Sequence, residues 1–188
     1  MTEKKQFSNV SSISRKNSIF QPARGTAKGG PYICAHLRRK DYLYARKSQL
    51  PDLKSAADQL IRKCQFHKVD TVYLATDAPQ DEIDKIKDFM EPNFKVKKYQ
   101  PDQKTFEKIK DGGVAIFDQI ICSKAKYFVG STESTFTFRI QEEREIMGFD
   151  VDMTFDILCP SGEFDCKKGS VWKIVYPDLN TKSQHSEL

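Results

Sequence analysis

Arg38, Arg39, Lys40 and Asp41 stand directly behind the apolar run "YICAHL" (32–37). A guanidinium presents a planar fork of donors that matches phosphate oxygens two at a time, and it stays charged at any physiological pH. Arg38, the first charged residue past the run, is therefore a candidate for holding a diphosphate. Such a leaving group gains negative charge as its bond to a sugar breaks, so a fixed cation favours the transition state. An ion pair with Asp41, or with acids of a neighbouring helix, would use the same cation structurally.

Two further stretches carry chemistry-bearing residues. Asp118 is the lone acid in "GGVAIFDQIICSKA" (112–125). A buried carboxylate needs donors to offset its desolvation. The two adjacent N–H groups of guanine suit it, and so would a lysine or a backbone amide. "GSTESTFTF" (130–138) is dense in hydroxyls, follows a strand pattern and opens a helix pattern. Amides at a helix N-terminus bind anions, and hydroxyls add donors. Ser134, Thr135 and Phe136 would sit at that terminus. Ordinary capping by Ser131, Thr132 or Ser134, with Phe136 in the core, reads the same residues structurally. Gly112 and Gly113 permit positive φ ahead of a helix but lack the spacing of a phosphate-loop fingerprint. Arg139 lies three and four residues before Glu142 and Glu143, the spacing of helix-face ion pairs.

These residues need elements to position them. "YICAHL", "TVYLA" (71–75) and "KYFVG" (126–130) read as short buried strands, and "FKVKKY" (94–99) as a half-exposed one. "PDLKSAADQLIRKCQFH" (51–67) reads as a helix with Leu53, Ala57, Leu60, Ile61 and Cys64 on one face. "PQDEIDKIKDFM" (79–90) is a second helix, with Pro79 near its first position and acids in its first turn. "GGVAIFDQIICSKA" reads as a mostly buried helix, its stripe of Val114, Phe117, Ile121 and Ala125 widened by Ile116 and Ile120. "STESTFTFRIQEEREIMG" enters a helix that stops near Gly148, and "VWKIVY" (171–176) is a last strand. Alternating strands and helices predict an α/β fold with a mainly parallel sheet. In such sheets ligands bind beyond the carboxyl ends of the strands, where Arg38 falls.

Composition narrows the class. The 188 residues are 38% hydrophobic and 30% charged, as in a soluble globular protein of one domain. No apolar run approaches the ~20 residues of a membrane span, and the N-terminus has no readable secretory signal. The net charge of +5 is local. Residues 1–30, Ser-rich and basic, read as a disordered tail, and the body from 31 on is neutral. Nucleic-acid binding is therefore not expected. The five cysteines form no C-x-x-C pair and the three histidines are scattered, which argues against a metal site. Cys159 and Cys166 bracket "PSGEFD"; they would close a small disulfide loop in an oxidising compartment, or stand as two free thiols. The chain ends in "HSEL", close to an endoplasmic-reticulum retention signal.

Taken in order and spacing, "HLRRKDY", "VYLATDA", "KDGGVAIFDQIIC" and "GSTESTFTFRIQEEREIMG" resemble the C-terminal half of protein O-fucosyltransferases, from about Tyr32 to Tyr176. The resemblance implies a Rossmann-like lobe (31–177), the C-terminal half of a two-lobed GT-B glycosyltransferase, followed by a flexible tail (178–188). It implies GDP-fucose as the donor, no required metal or cofactor, and inverting transfer to Ser or Thr of folded thrombospondin type 1 repeats in the endoplasmic reticulum by a monomer. Carried over, His36, Leu37 and Arg38 meet the nucleotide, with Arg38 on the diphosphate. Asp118 matches the nucleotide-binding aspartate, and Ser134, Thr135 and Phe136 match the helix start that closes over it. Cys159 and Cys166 match a family disulfide. The family's basic Glu, in a Gly-rich segment of the other lobe, has no counterpart here. The expectation is a donor-binding half that transfers nothing alone. The alternative is a non-catalytic nucleotide-sugar-binding or interaction module.

Overall fold

The computed structural model of the chain describes residues 22–164 and Cys166. Within them a five-stranded sheet, every pair parallel, is ordered β3-β2-β1-β4-β5. The elements follow the alternation of the sequence. β1 (Gly30–Leu37) leads through a short helix, α1 (Tyr42–Ala45), to α2 (Leu53–His67) and β2 (Thr71–Thr76). Next come α3 (Gln80–Met90), β3 (Lys95–Lys97), α4 (Gln103–Ser123) and β4 (Ala125–Gly130). α5 (Thr135–Ile146) and the two-residue β5 (Asp156–Ile157) close the order. The expected strand 171–176, the tail 178–188 with its "HSEL" end, and residues 1–21 lie outside the described residues.

Local chemistry sets the helix ends. Asp52 caps α2 by accepting from the Ser55 amide at 2.7 Å, and Asp102 caps α4 by accepting from the Thr105 amide at 2.8 Å. Lys68, in the left-handed region at φ 53°, ends α2. Pro79 stands one position earlier than expected, as the N-cap of α3, with Asp81 and Glu82 in the first turn.

The sheet has helices on both faces. On one, α2 and α3 bury Leu60, Ile83, Ile86 and Met90 against Ile33, Leu37, Val72, Leu74 and Val129. On the other, α4 and α5 cover Cys34, Tyr73, Ala75 and Phe128.

Three expectations need correction. Gly112 and Gly113 do not adopt positive φ; they lie in the first turn of the helical segment of α4 that follows a kink at Lys110, whose φ is 55°. A Cβ on Gly113 would come within 2.4 Å of the Ile109 side chain, so close packing rather than positive φ explains that glycine. The buried stripe of α4 is also different. Ile116, Phe117 and Ile120 are 58%, 41% and 46% exposed, while Asp118, Cys122 and Ser123 are buried. The helix is rotated because Asp118 and Cys122 have partners on the sheet, Tyr73 and Cys34. Finally, residues 22–29 are not a free tail. Arg24 pairs with the buried Glu145, and the amides of Gly25 and Ala27 donate to the Gly148 carbonyl.

Candidate functional site

The sheet order reverses between β1 and β4, so their carboxyl ends form the crevice that ligands favour. Ser131 ties the two ends together. Its hydroxyl donates to the His36 carbonyl at 3.0 Å and accepts from the Arg38 amide at 2.9 Å. Tyr42 holds the following turn by donating to the carbonyls of Thr132 and Glu133.

Gly130 decides how closely α5 approaches. A Cβ there would lie 2.3 Å from the Thr137 methyl and 2.6 Å from its hydroxyl. Without it, Thr137 reaches across and its Oγ1 lies 2.8 Å from His36 Nδ1. The His36 ring stacks on Phe136 with centroids 4.4 Å apart. Burial, and the nearby charge of Arg38, push the His36 pKa down to about 3, so the ring is neutral at physiological pH.

Asp118 is placed by a tyrosine. The Tyr73 hydroxyl donates to Asp118 Oδ1 at 2.5 Å and accepts from the Tyr99 amide at 3.2 Å. Desolvation raises the Asp118 pKa above the ordinary aspartate value, against the Tyr73 hydrogen bond and the charge of Lys98. The second carboxylate oxygen has no hydrogen-bond donor among the described residues.

Arg38 and Arg39 have different fates. Arg39 is buried, gripping Glu82 through Nε at 2.8 Å and Nη2 at 2.9 Å, and donating to the Pro51 carbonyl. The Arg38 side chain is 36% exposed and pairs with the exposed Asp41 at 2.8 and 3.0 Å. Exposed pairs of this kind contribute little, so Asp41 is readily exchanged for a stronger anion.

His36, Arg38, Asp118 and Phe136 line one cavity of about 620 Å³. Lys40 and Lys98 add positive charge to its wall, and Tyr99 and Phe106 add apolar surface. The volume suits a small-molecule site. Three sequence-predicted residues are not in that wall. The Leu37 side chain is buried in the core under α2. Ser134 and Thr135 occupy the N-terminus of α5 beside Phe136. Ser134 is the N-cap, yet its hydroxyl caps no amide and is buried without a partner among the described residues. Tyr73, Lys98, Tyr99 and Thr137 were not anticipated, since nothing in their local sequence distinguishes them from strand, loop or helix residues.

Cys159 and Cys166 are joined, as the resemblance implied. A second disulfide, Cys34–Cys122, was not anticipated; it links β1 to α4. Among the described residues, no group of three or more His, Cys, Asp or Glu side chains is placed to hold a metal ion, and no helix is long and apolar enough to cross a membrane.

Comparison with known proteins gives this geometry a context. Residues 5–147 match the family model of GDP-fucose protein O-fucosyltransferase. The chain is 48% identical over 153 residues to GDP-fucose protein O-fucosyltransferase 2 of Caenorhabditis elegans, covering 81% of this chain and 35% of that protein. It is 43% identical to the Drosophila melanogaster protein of that name, covering 88% and 34%, and 40% identical to the human one, covering 81% and 35%. The chain thus spans about a third of the length of these relatives. Among solved structures it resembles POFUT1 in complex with GDP-fucose, with a TM-score of 0.52 at 17% identity, covering 70% of this chain and 42% of that one.

Proposed function

Because the chain belongs to the GDP-fucose protein O-fucosyltransferase family, we propose that its cavity is the GDP-fucose site of such an enzyme. The observation that carries the reading is the placement of Arg38 and Asp118, more than a third of the chain apart, in the wall of one cavity at the sheet crossover. Arg38 leaves Asp41 and holds the diphosphate, offsetting the charge that grows as the bond to fucose breaks. The free oxygen of Asp118 accepts from the guanine N–H groups, which restore the solvation it lost on burial. His36, neutral and stacked on Phe136, lines the cavity beside them without adding charge. The N-terminus of α5, which begins beside Phe136, adds its partial positive charge to that side of the cavity.

The acceptor is a Ser or Thr hydroxyl of a folded thrombospondin type 1 repeat, and the transfer inverts the sugar configuration. Inversion needs a base on the face opposite the leaving group. That base belongs to a part of the enzyme outside these 188 residues, which alone bind the donor and transfer nothing. The two disulfides support an oxidising compartment, the endoplasmic reticulum.

Titration calorimetry with GDP tests the reading. Binding by the chain, lost in Arg38→Ala and in Asp118→Ala, is the expected result. No binding by the parent chain would favour an interaction module instead. Incubation with GDP-fucose and a folded thrombospondin repeat should give no product; fucosylated repeat would overturn the division of labour.

A further inference from the structure

Past its kink at Lys110, α4 buries only Asp118, Cys122 and Ser123. Ile116, Phe117 and Ile120 face water, and Ile121 is only partly buried against the sheet. Apolar burial therefore holds this helix far less than it holds α2, which buries Ala56, Ala57, Leu60 and Cys64. The helix nevertheless presents a desolvated carboxylate at a fixed place.

The Cys34–Cys122 bond meets that need. Cys34 precedes His36 by two residues on β1, so both point to the same face of the sheet. Cys122 follows Asp118 by one helical turn, so both point toward the sheet from α4. Both cysteines are fully buried, and the bond joins segments 88 residues apart.

We propose that the Cys34–Cys122 disulfide is a positioning device for the nucleotide site. It fixes Asp118 against the strand that carries His36 and Arg38, and so sets the preference for guanine over a base lacking the 2-amino group. The bond touches no ligand; it acts through Asp118. A dithiol opens it by passing two electrons and two protons to the cysteines and closing its own disulfide, which makes the preference redox-sensitive. The proposal rests on the reading of the cavity as a GDP-fucose site.

The test compares the oxidised chain with Cys34→Ala/Cys122→Ala, and with the oxidised chain reduced in place should the variant not fold. Alkylation of the unfolded chain without reductant, read by mass spectrometry, should leave Cys34 and Cys122 linked; modification of both overturns the proposal. Hydrogen exchange should then show lost protection over residues 114–123 on cutting the bond, with residues 53–67 unchanged. Equal loss in both segments, or none, counts against it. Calorimetry supplies the specific readout. The oxidised chain should prefer GDP to inosine diphosphate by about tenfold, and cutting the bond should collapse that ratio while sparing inosine diphosphate binding. A parallel loss for both ligands overturns positioning. If the oxidised chain binds neither nucleotide, the donor-site reading fails, and hydrogen exchange still decides whether the bond holds α4.

Discussion

The two faces of the sheet are built differently. Under α2 and α3 lies a cluster of seventeen buried residues, nearly all aliphatic. Under α4 and α5 the cluster has seven, two of them the cysteines of a disulfide. The rest of that face is held by polar groups. Arg144 of α5, fully buried, donates to the carbonyls of Ser123 at 3.1 Å and Ala125 at 2.6 Å, where α4 ends and β4 begins, and to Met153 at 2.8 Å. Its guanidinium also lies 3.9 Å over the Phe149 ring. Burial pushes its pKa down to about 9. The oily face bears no site residue except the Leu37 side chain, whereas the polar face carries His36, Asp118 and Phe136. A binding site needs directed groups, and directed groups displace the aliphatic packing that would otherwise fix the helices.

The sharpest way to break this comparison is at Arg144. Arg144→Ala strands several buried carbonyls and should destabilise the fold by about 3–5 kcal/mol in urea unfolding. Leu60→Ala, on the oily face, should cost about 2–5 kcal/mol by cavity formation alone. If Arg144→Ala were near neutral, the polar face would not be held as described.

Arg38→Ala separates function from framework. GDP affinity should fall about 30- to 100-fold, roughly 2–3 kcal/mol, because a charged hydrogen-bonded contact to phosphate is lost. Its unfolding midpoint should barely move, since what is removed is an exposed pair with Asp41 and a 5.6 Å contact over the Tyr42 ring.

Asp118→Asn sharpens the conflict between stability and binding. The raised pKa means the folded state holds the proton more tightly than the unfolded chain. The folded state is thus favoured in acid, and that contribution is lost as pH climbs from the ordinary aspartate value through the raised one. Asparagine still accepts from Tyr73 and carries no charge. The variant should be at least as stable as the parent at neutral pH, with GDP affinity reduced about tenfold.

The smallest effect concerns His36. Its folded pKa lies below the unfolded value of 6.5, so the unfolded chain takes up the proton first. Stability is complete above about pH 6.5 and falls as pH drops toward 3, by about 1 kcal/mol between pH 6.5 and 5.5 from this single group. Unfolding of His36→Gln across that interval should show a flatter profile.

Arg38 and Asp118 were legible because each breaks its local pattern: a cation at the end of a buried strand, an acid in an apolar helix. Thr137 and Tyr73 break no pattern; a threonine in a helix and a tyrosine in a strand look ordinary. Gly130 reads as the end of a strand, and only the 2.3 Å clash with Thr137 reveals why it has no side chain. The rotation of α4 was misread for a related reason. Past Lys110 the helix is apolar on several sides, so periodicity does not declare its inner face, and Asp118 and Cys122 chose it.

Residue type and spacing by themselves determined the strand–helix alternation, the parallel sheet, and the two charged candidates at its carboxyl edge. These follow from backbone periodicity and from the cost of burying charge, both local properties. The tertiary structure alone decided which acid makes Arg39 framework, which cysteine meets Cys34, and which face of α4 turns inward. Those outcomes depend on partners 43 to 88 residues away: Glu82 for Arg39, Tyr73 for Asp118 and Cys122 for Cys34. Hydrogen bonds and disulfides act only at contact distance, and chain separation carries no record of which groups will meet.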